Sequence, residues 1–223
     1  AAARRERYVG PWLPEPLLTT GEPDDPLAAV VRDEGVRMAA MVVLERLTPP
    51  QRVAFVLHEA MDLPFAAIAD ILGCPEATAR QHASRARRIV ADADPPPRAA
   101  AAEQEAVLAA FADAMARADQ GALVALLHPD VVLYNDSDGK APAARRPVVG
   151  PDKVARLLLG LLDRYGAGLL NARQVSVNGE PGILTPAGDG APSTAVNVFA
   201  LREGRIVGIY GVVNPAKLTR LPD

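Results

Sequence analysis

The chain of 223 residues is 49% apolar, carries a formal net charge of -3 and holds a single cysteine. That length suits one large domain or two small ones, each with its own core. A membrane-spanning protein is excluded, because no run approaches the ~18 consecutive apolar residues required, and one cysteine excludes a disulfide framework and fits a reducing cytoplasm.

The sequence opens at Ala1 without an initiator Met or a basic, apolar leader, and so reads as an internal fragment or a processed product. Pro11, Pro14, Pro16, Pro23 and Pro26 interrupt helix repeatedly, so residues 1–26 are expected to form an extended arm. A helical unit is expected over 27–94. Leu27, Val30, Val31, Met38, Met41 and Val42 recur at three- and four-residue spacing, the stripe of an amphipathic helix. Thr48 reads as an N-cap with Pro49 at the first position of a helix through about Ala60. Asp62-Leu63-Pro64 breaks that helix. A short helix Phe65–Leu72 then stops at Gly73, and a longer one runs from about Pro75 to Ala91. Short helix, glycine turn, longer helix is the helix-turn-helix pattern.

Pro95-Pro96-Pro97 gives a stiff linker over 95–98. The last unit, 99–223, begins with helical patterns at 99–118 and 121–128. A strand Val131–Tyr134 follows, then a helix at 151–165. Strands are expected at Arg173–Val177, Thr194–Leu201 and Arg205–Val213, the last two joined by the turn Arg202-Glu203-Gly204. Helices followed by a run of strands imply an α+β unit, with helices packed on one face of a curved antiparallel sheet.

On the 75–91 helix, a step of ~100° per residue places Arg80, Gln81, Ser84, Arg85, Arg87 and Arg88 within one arc of roughly 160°. Ala79, Ala83, Ala86, Ile89 and Val90 fall opposite, and His82 lies at the border. Arg and Gln read guanine and adenine edges bidentately, and clustered arginines neutralise phosphates. Arg80, Gln81 and Ser84, near the helix start, are the base-reading candidates; Arg85, Arg87 and Arg88 are assigned to phosphates, with Thr78 also on the DNA-binding set. A charge run by itself is ordinarily a solvated helix face. The helix-turn-helix context is what directs this one to DNA. Cys74 reads as a small packed residue, and no metal or cofactor constellation is found.

The string Leu72-Gly73-Cys74-Pro75-Glu76-Ala77-Thr78-Ala79-Arg80-Gln81-His82-Ala83-Ser84-Arg85-Ala86-Arg87-Arg88 resembles region 4 of extracytoplasmic-function (ECF) sigma factors, and Leu47-Thr48-Pro49-Pro50-Gln51-Arg52 fits the same domain. Three segments are similar to the sigma-J type, which carries a fused SnoaL-like (nuclear transport factor 2-like) C-terminal domain. They are the arm Tyr8-Val9-Gly10-Pro11-Trp12-Leu13-Pro14-Glu15-Pro16, the turn Asp136-Ser137-Asp138-Gly139-Lys140, and the tail Asn214-Pro215-Ala216-Lys217-Leu218. Ser137 and Asp138 stand where the family has glycines, and Ala216 where it has an acid.

The resemblance implies a cytoplasmic transcription-initiation factor. Region 4 would recognise the minus-35 promoter element and touch core RNA polymerase, and the fused domain would regulate it. Sigma region 2, the family's polymerase-engaging domain, has no counterpart here, and Ala1–Arg7 resemble only its tail. Trp12 and Pro14 are expected to pack near Asp136, Asp138, Gly139 and Lys140, with Asn214, Pro215, Lys217 and Leu218 close by. The alternative is a ligand-sensing or enzymatic SnoaL-like domain with an appended DNA-binding module. Asp136, Asp163, Tyr134, Tyr165, Tyr210 and His128 are its acid–base candidates, but none is spaced for that work. An apolar pocket for a small molecule is the milder form of this alternative.

Overall fold

The computed structural model describes residues 8–19, 38–97, 99–219 and 221. The helical stripe expected from Leu27 to Val31, and Pro23 and Pro26, lie outside them. The chain divides into two compact units: Ala39–Pro95 form one, and the described residues on either side group together as the other. The division falls inside the triple-proline run.

The first unit is helical. Helix α1 (Met38–Leu44) leads to α2 (Pro49–Glu59), α3 (Phe65–Leu72) and α4 (Glu76–Ala93). Helix α2 starts as its sequence dictates: Pro49 occupies the first position, and the Gln51 side chain accepts a hydrogen bond from the Thr48 amide at 2.9 Å. Helix α3 ends on Gly73, whose φ of +61° is left-handed. On α4, Ala79, Ala83 and Ala86 are fully buried, and the first two share a core with Ala54, Ile68 and Ala69. Methyl-sized side chains let α4 lie close against its neighbours, which sets the turn between α3 and α4.

Among the described residues the second unit is a mixed seven-stranded sheet with helices on one face. Its strands are β1 (Leu18–Thr19), β2 (Leu127–Asp136), β3 (Val148–Val149), β4 (Arg173–Val177), β5 (Glu180–Thr185), β6 (Ala195–Arg202) and β7 (Arg205–Val212), in the order β1-β4-β5-β6-β7-β2-β3. Helices α5 (Ala101–Ala116), α6 (Gln120–Leu126) and α7 (Pro151–Tyr165) bury Leu108, Phe111, Leu123 and Val154 in one core with Leu133, Phe199 and Ile209 of the sheet.

The sheet is not wholly antiparallel. β2 runs parallel to β7, with Leu133 opposite Ile209 and Asp136 opposite Val212. The expected helix over 121–128 ends at Leu126, and β2 begins at once, so His128 is a strand residue rather than a helix terminus. Its register shifts between Leu127 and Val132, where Pro129 cannot donate to the ladder. Strand β5 went unread because Pro181 and Gly182 disguise it, although it pairs with both β4 and β6.

Candidate arm latch and nucleic-acid face

Asp136 ends β2 with a carboxylate that is fully buried. A buried charge needs partners, and all of them come from distant parts of the chain. The Tyr8 hydroxyl donates to Oδ1, the Leu13 amide donates to Oδ2 at 2.7 Å, and Lys217 Nζ donates to Oδ2 at 2.6 Å. Lys217 also donates to the Leu13 carbonyl, and its ammonium lies 4.0 Å from the Trp12 ring centroid. Asn214 completes the network: its Nδ2 donates to the Tyr8 oxygen at 2.9 Å, while its Oδ1 accepts from the Ala216 amide at 3.1 Å and caps the last turn, Pro215–Lys217. Ser137 is buried and Leu218 nearly so.

The next turn grips the arm from the other side. The Lys140 amide donates to the Ser137 carbonyl at 2.9 Å, and Asp138 and Gly139 between them have φ of +50° and +69°. Two positive φ values are the type I′ pattern, for which Asp-Gly is well suited. Asp138, standing where the family has a glycine, adopts this left-handed conformation. Its carboxylate accepts from the Val9 amide at 3.3 Å and pairs with Lys140 at 2.8 Å. A Cβ on Gly139 would touch Val9 at 3.4 Å. Farther along the arm, Leu17 and Asn178 exchange hydrogen bonds of 3.0 and 2.8 Å, and β1 joins the sheet against β4.

The ten residues expected to serve the arm contact therefore lie together or next to its contacts. Pro14 follows the residue that holds Asp136. Trp12 is 37% exposed, whereas Leu13 beside it is 1% exposed and is the buried anchor. Sequence reasoning missed Tyr8, Leu13 and Asn178. Leu13 carried one signal, an apolar residue between two proline positions that force an extended chain.

Burial, then the hydrogen bond to Asp136, pushes the Tyr8 phenol well above its ordinary value of 10. Burial lowers the Lys217 ammonium, against the opposing pull of Asp136. The hydrogen bond to Lys140 holds Asp138 below its usual carboxylate value. A phenol raised on folding stabilises the folded state fully below pH 10, and that contribution is lost as pH rises through the folded value. The stability gap between the native chain and Tyr8→Phe should therefore stay constant up to about pH 10 and narrow above it. Urea titrations at pH 8, 10 and 11 measure this; a gap that widens at high pH contradicts the assignment.

On α4, Arg80, Gln81, Ser84, Arg85, Arg87 and Arg88 are exposed and Thr78 is half-buried. Arg80 pairs with Glu76 and lies 4.9 Å over the Phe65 ring, and Arg87 pairs with Glu59 at 2.7 Å. These two arginines are about 20° apart in helical projection, on the edge nearest α2 and α3. Gln81, Ser84, Arg85 and Arg88 occupy the open part of the arc, and among the described residues neither Arg85 nor Arg88 has an ion pair.

The acid–base candidates do not converge. Leu133 and Asn135 line a cavity of about 900 Å³ between sheet and helices, and the pleat turns Tyr134 and Asp136 to the other face. Tyr134 stacks on Tyr210 at 5.7 Å. Of the six candidates only Tyr165 lines the cavity.

The Sigma-70, region 4 family model matches residues 37–90. Across its whole length the chain is 50% identical to the ECF RNA polymerase sigma factor SigJ of Mycobacterium tuberculosis, covering 73% of that protein. The chain belongs to the ECF RNA polymerase sigma factors. The crystal structure of M. tuberculosis SigJ is similar over 97% of this chain and 77% of its own, with 47% identity and a TM-score of 0.81. This ECF sigma factor chain thus joins a region 4 unit to an α+β unit that holds the arm. Among its described residues no helix is long and apolar enough to cross a membrane.

Proposed function

We propose that α4 reads the minus-35 element of promoter DNA on a sigma factor that works with core RNA polymerase, and that the C-terminal unit regulates it by holding the arm. The Asp136 junction carries the regulatory half. One buried carboxylate gathers Tyr8, Leu13 and Lys217, and residues 8–16 resemble the segment that joins regions 2 and 4. Restraining that segment restrains how region 4 can be presented to a promoter. The regulation is conformational and needs no chemistry from the C-terminal unit.

The open arc of α4 supports the DNA-reading half. Binding to non-specific duplex is expected with Kd on the order of 10⁻⁴–10⁻⁶ M, weakening steeply with salt. Arg85→Ala with Arg88→Ala should reduce the salt slope by about 2 if both meet phosphates. Arg80→Ala with Arg87→Ala should cost less, since those side chains must first leave Glu76 and Glu59. Fluorescence anisotropy of labelled duplex against salt measures both. Binding that ignores salt, or an Arg85/Arg88 variant with native affinity, removes the assignment.

A further inference from the structure

We propose that the cavity of the C-terminal unit is a binding site for an uncharged, largely apolar small molecule, held at its polar end by Asn135 and Asn197. At about 900 Å³ the cavity has the volume of a small-molecule pocket. Its walls are side chains such as Leu133, Leu158, Leu161 and Phe199, and the sheet contributes the polar side chains of Asn135, Thr185 and Asn197.

Asn135 of β2 and Asn197 of β6 both pair with Gly211 of the intervening β7. The two carboxamides lean together over that glycine. A Cβ at position 211 would collide with Asn135 Oδ1 and lie 2.8 Å from Asn197 Oδ1. The absent side chain is what lets two amides from non-adjacent strands share one spot of the floor. Among the described residues neither carboxamide has a hydrogen-bond partner, and Thr185 joins the same lining. Each amide offers two N–H donors and an acceptor, so the group recognised is a carbonyl or hydroxyl.

Charge selects the neutral class. Asp113 and Arg164 are the charged lining residues, and both side chains are exposed, Asp113 already paired with Arg117 at 2.5 Å. Among the described residues no cation comes from the sheet floor to pair with a carboxylate drawn inside. The inference rests on the cavity alone, so its failure leaves the arm latch untouched.

The test is a titration of the whole chain with Nile red, a neutral apolar dye bearing a carbonyl, read by its emission. Saturable one-site binding is expected. Asn135→Leu with Asn197→Leu should weaken it about tenfold, the worth of about one hydrogen bond, and Ala195→Phe, which fills the cavity from β6, should abolish it. Decanol should displace the dye and decanoate should not. Binding that survives Ala195→Phe, or that is indifferent to the leucine pair, overturns the site. Equal displacement by decanoate overturns the neutral class. Should the leucine pair not fold, the Ala195→Phe and alcohol–carboxylate arms decide.

Discussion

Asp136→Ala is expected to destabilise the C-terminal unit by about 3–5 kcal/mol and to release the arm, because breaking a buried pair strands the remaining charge. Asp136 is fully buried, and the Lys217 side chain is 13% exposed, so the ammonium has limited access to water once its partner is gone. The Leu13 amide and the Tyr8 hydroxyl lose their acceptor at the same time. Lys217→Met should cost less, since Asp136 keeps the Tyr8 and Leu13 donors. Trp12, the only tryptophan, lies in the arm beside Lys217, so its emission reports docking without a label. Urea unfolding followed by that emission measures the effect. A loss below about 1 kcal/mol, the worth of an ordinary hydrogen bond, with native emission contradicts the latch.

Ala83→Leu is expected to unfold the helical unit while sparing the arm. Ala83 is 0% exposed and belongs to the core formed with Ala54 and Ile68. Added methylenes in a filled site cost about 1–3 kcal/mol. At about 0.05–0.15 kcal/mol per residue, a unit spanning only Ala39–Pro95 has little stability to lose. Duplex binding should fall to background, and helical circular dichroism should drop in proportion to that unit. Trp12 emission should not move, because the Lys217 ammonium over its ring belongs to the other unit. Native DNA affinity in the leucine variant would show that the alanine face is not a packing face.

Local signals made much of this fold legible. The small-residue and arginine faces of α4 follow from helical periodicity alone, and the structure buries Ala79, Ala83 and Ala86 as that periodicity requires. Helix α7, opened by Pro151, was readable to its last residue. Where punctuating residues sit inside strands, the reading failed: Pro181 and Gly182 hid β5, and Pro129 hid the start of β2.

The latch was legible in part, through the resemblance of three short segments. Its chemistry was not. Tyr8, Asp136 and Lys217 are far apart in the chain, and no periodicity links a phenol, a carboxylate and an ammonium across such separations. The direction of Asp136 was decided by the strand pleat, which sends it to the arm and Asn135 to the cavity. Asp136, expected beside the arm, is held there by Tyr8, Leu13 and Lys217.

Promoter output of the sigma factor, with and without the tail from Asn214 onward, decides whether the arm latch regulates region 4. Deleting the tail removes Lys217 and Asn214 from the network while leaving every residue of α4 in place. Multi-round transcription from the factor's own promoter should change several-fold, with the affinity of the region 4 unit for duplex unaltered. Unchanged output from a tail-deleted factor, matched by unchanged output from a Trp12→Ala factor, would show that the latch does not regulate region 4.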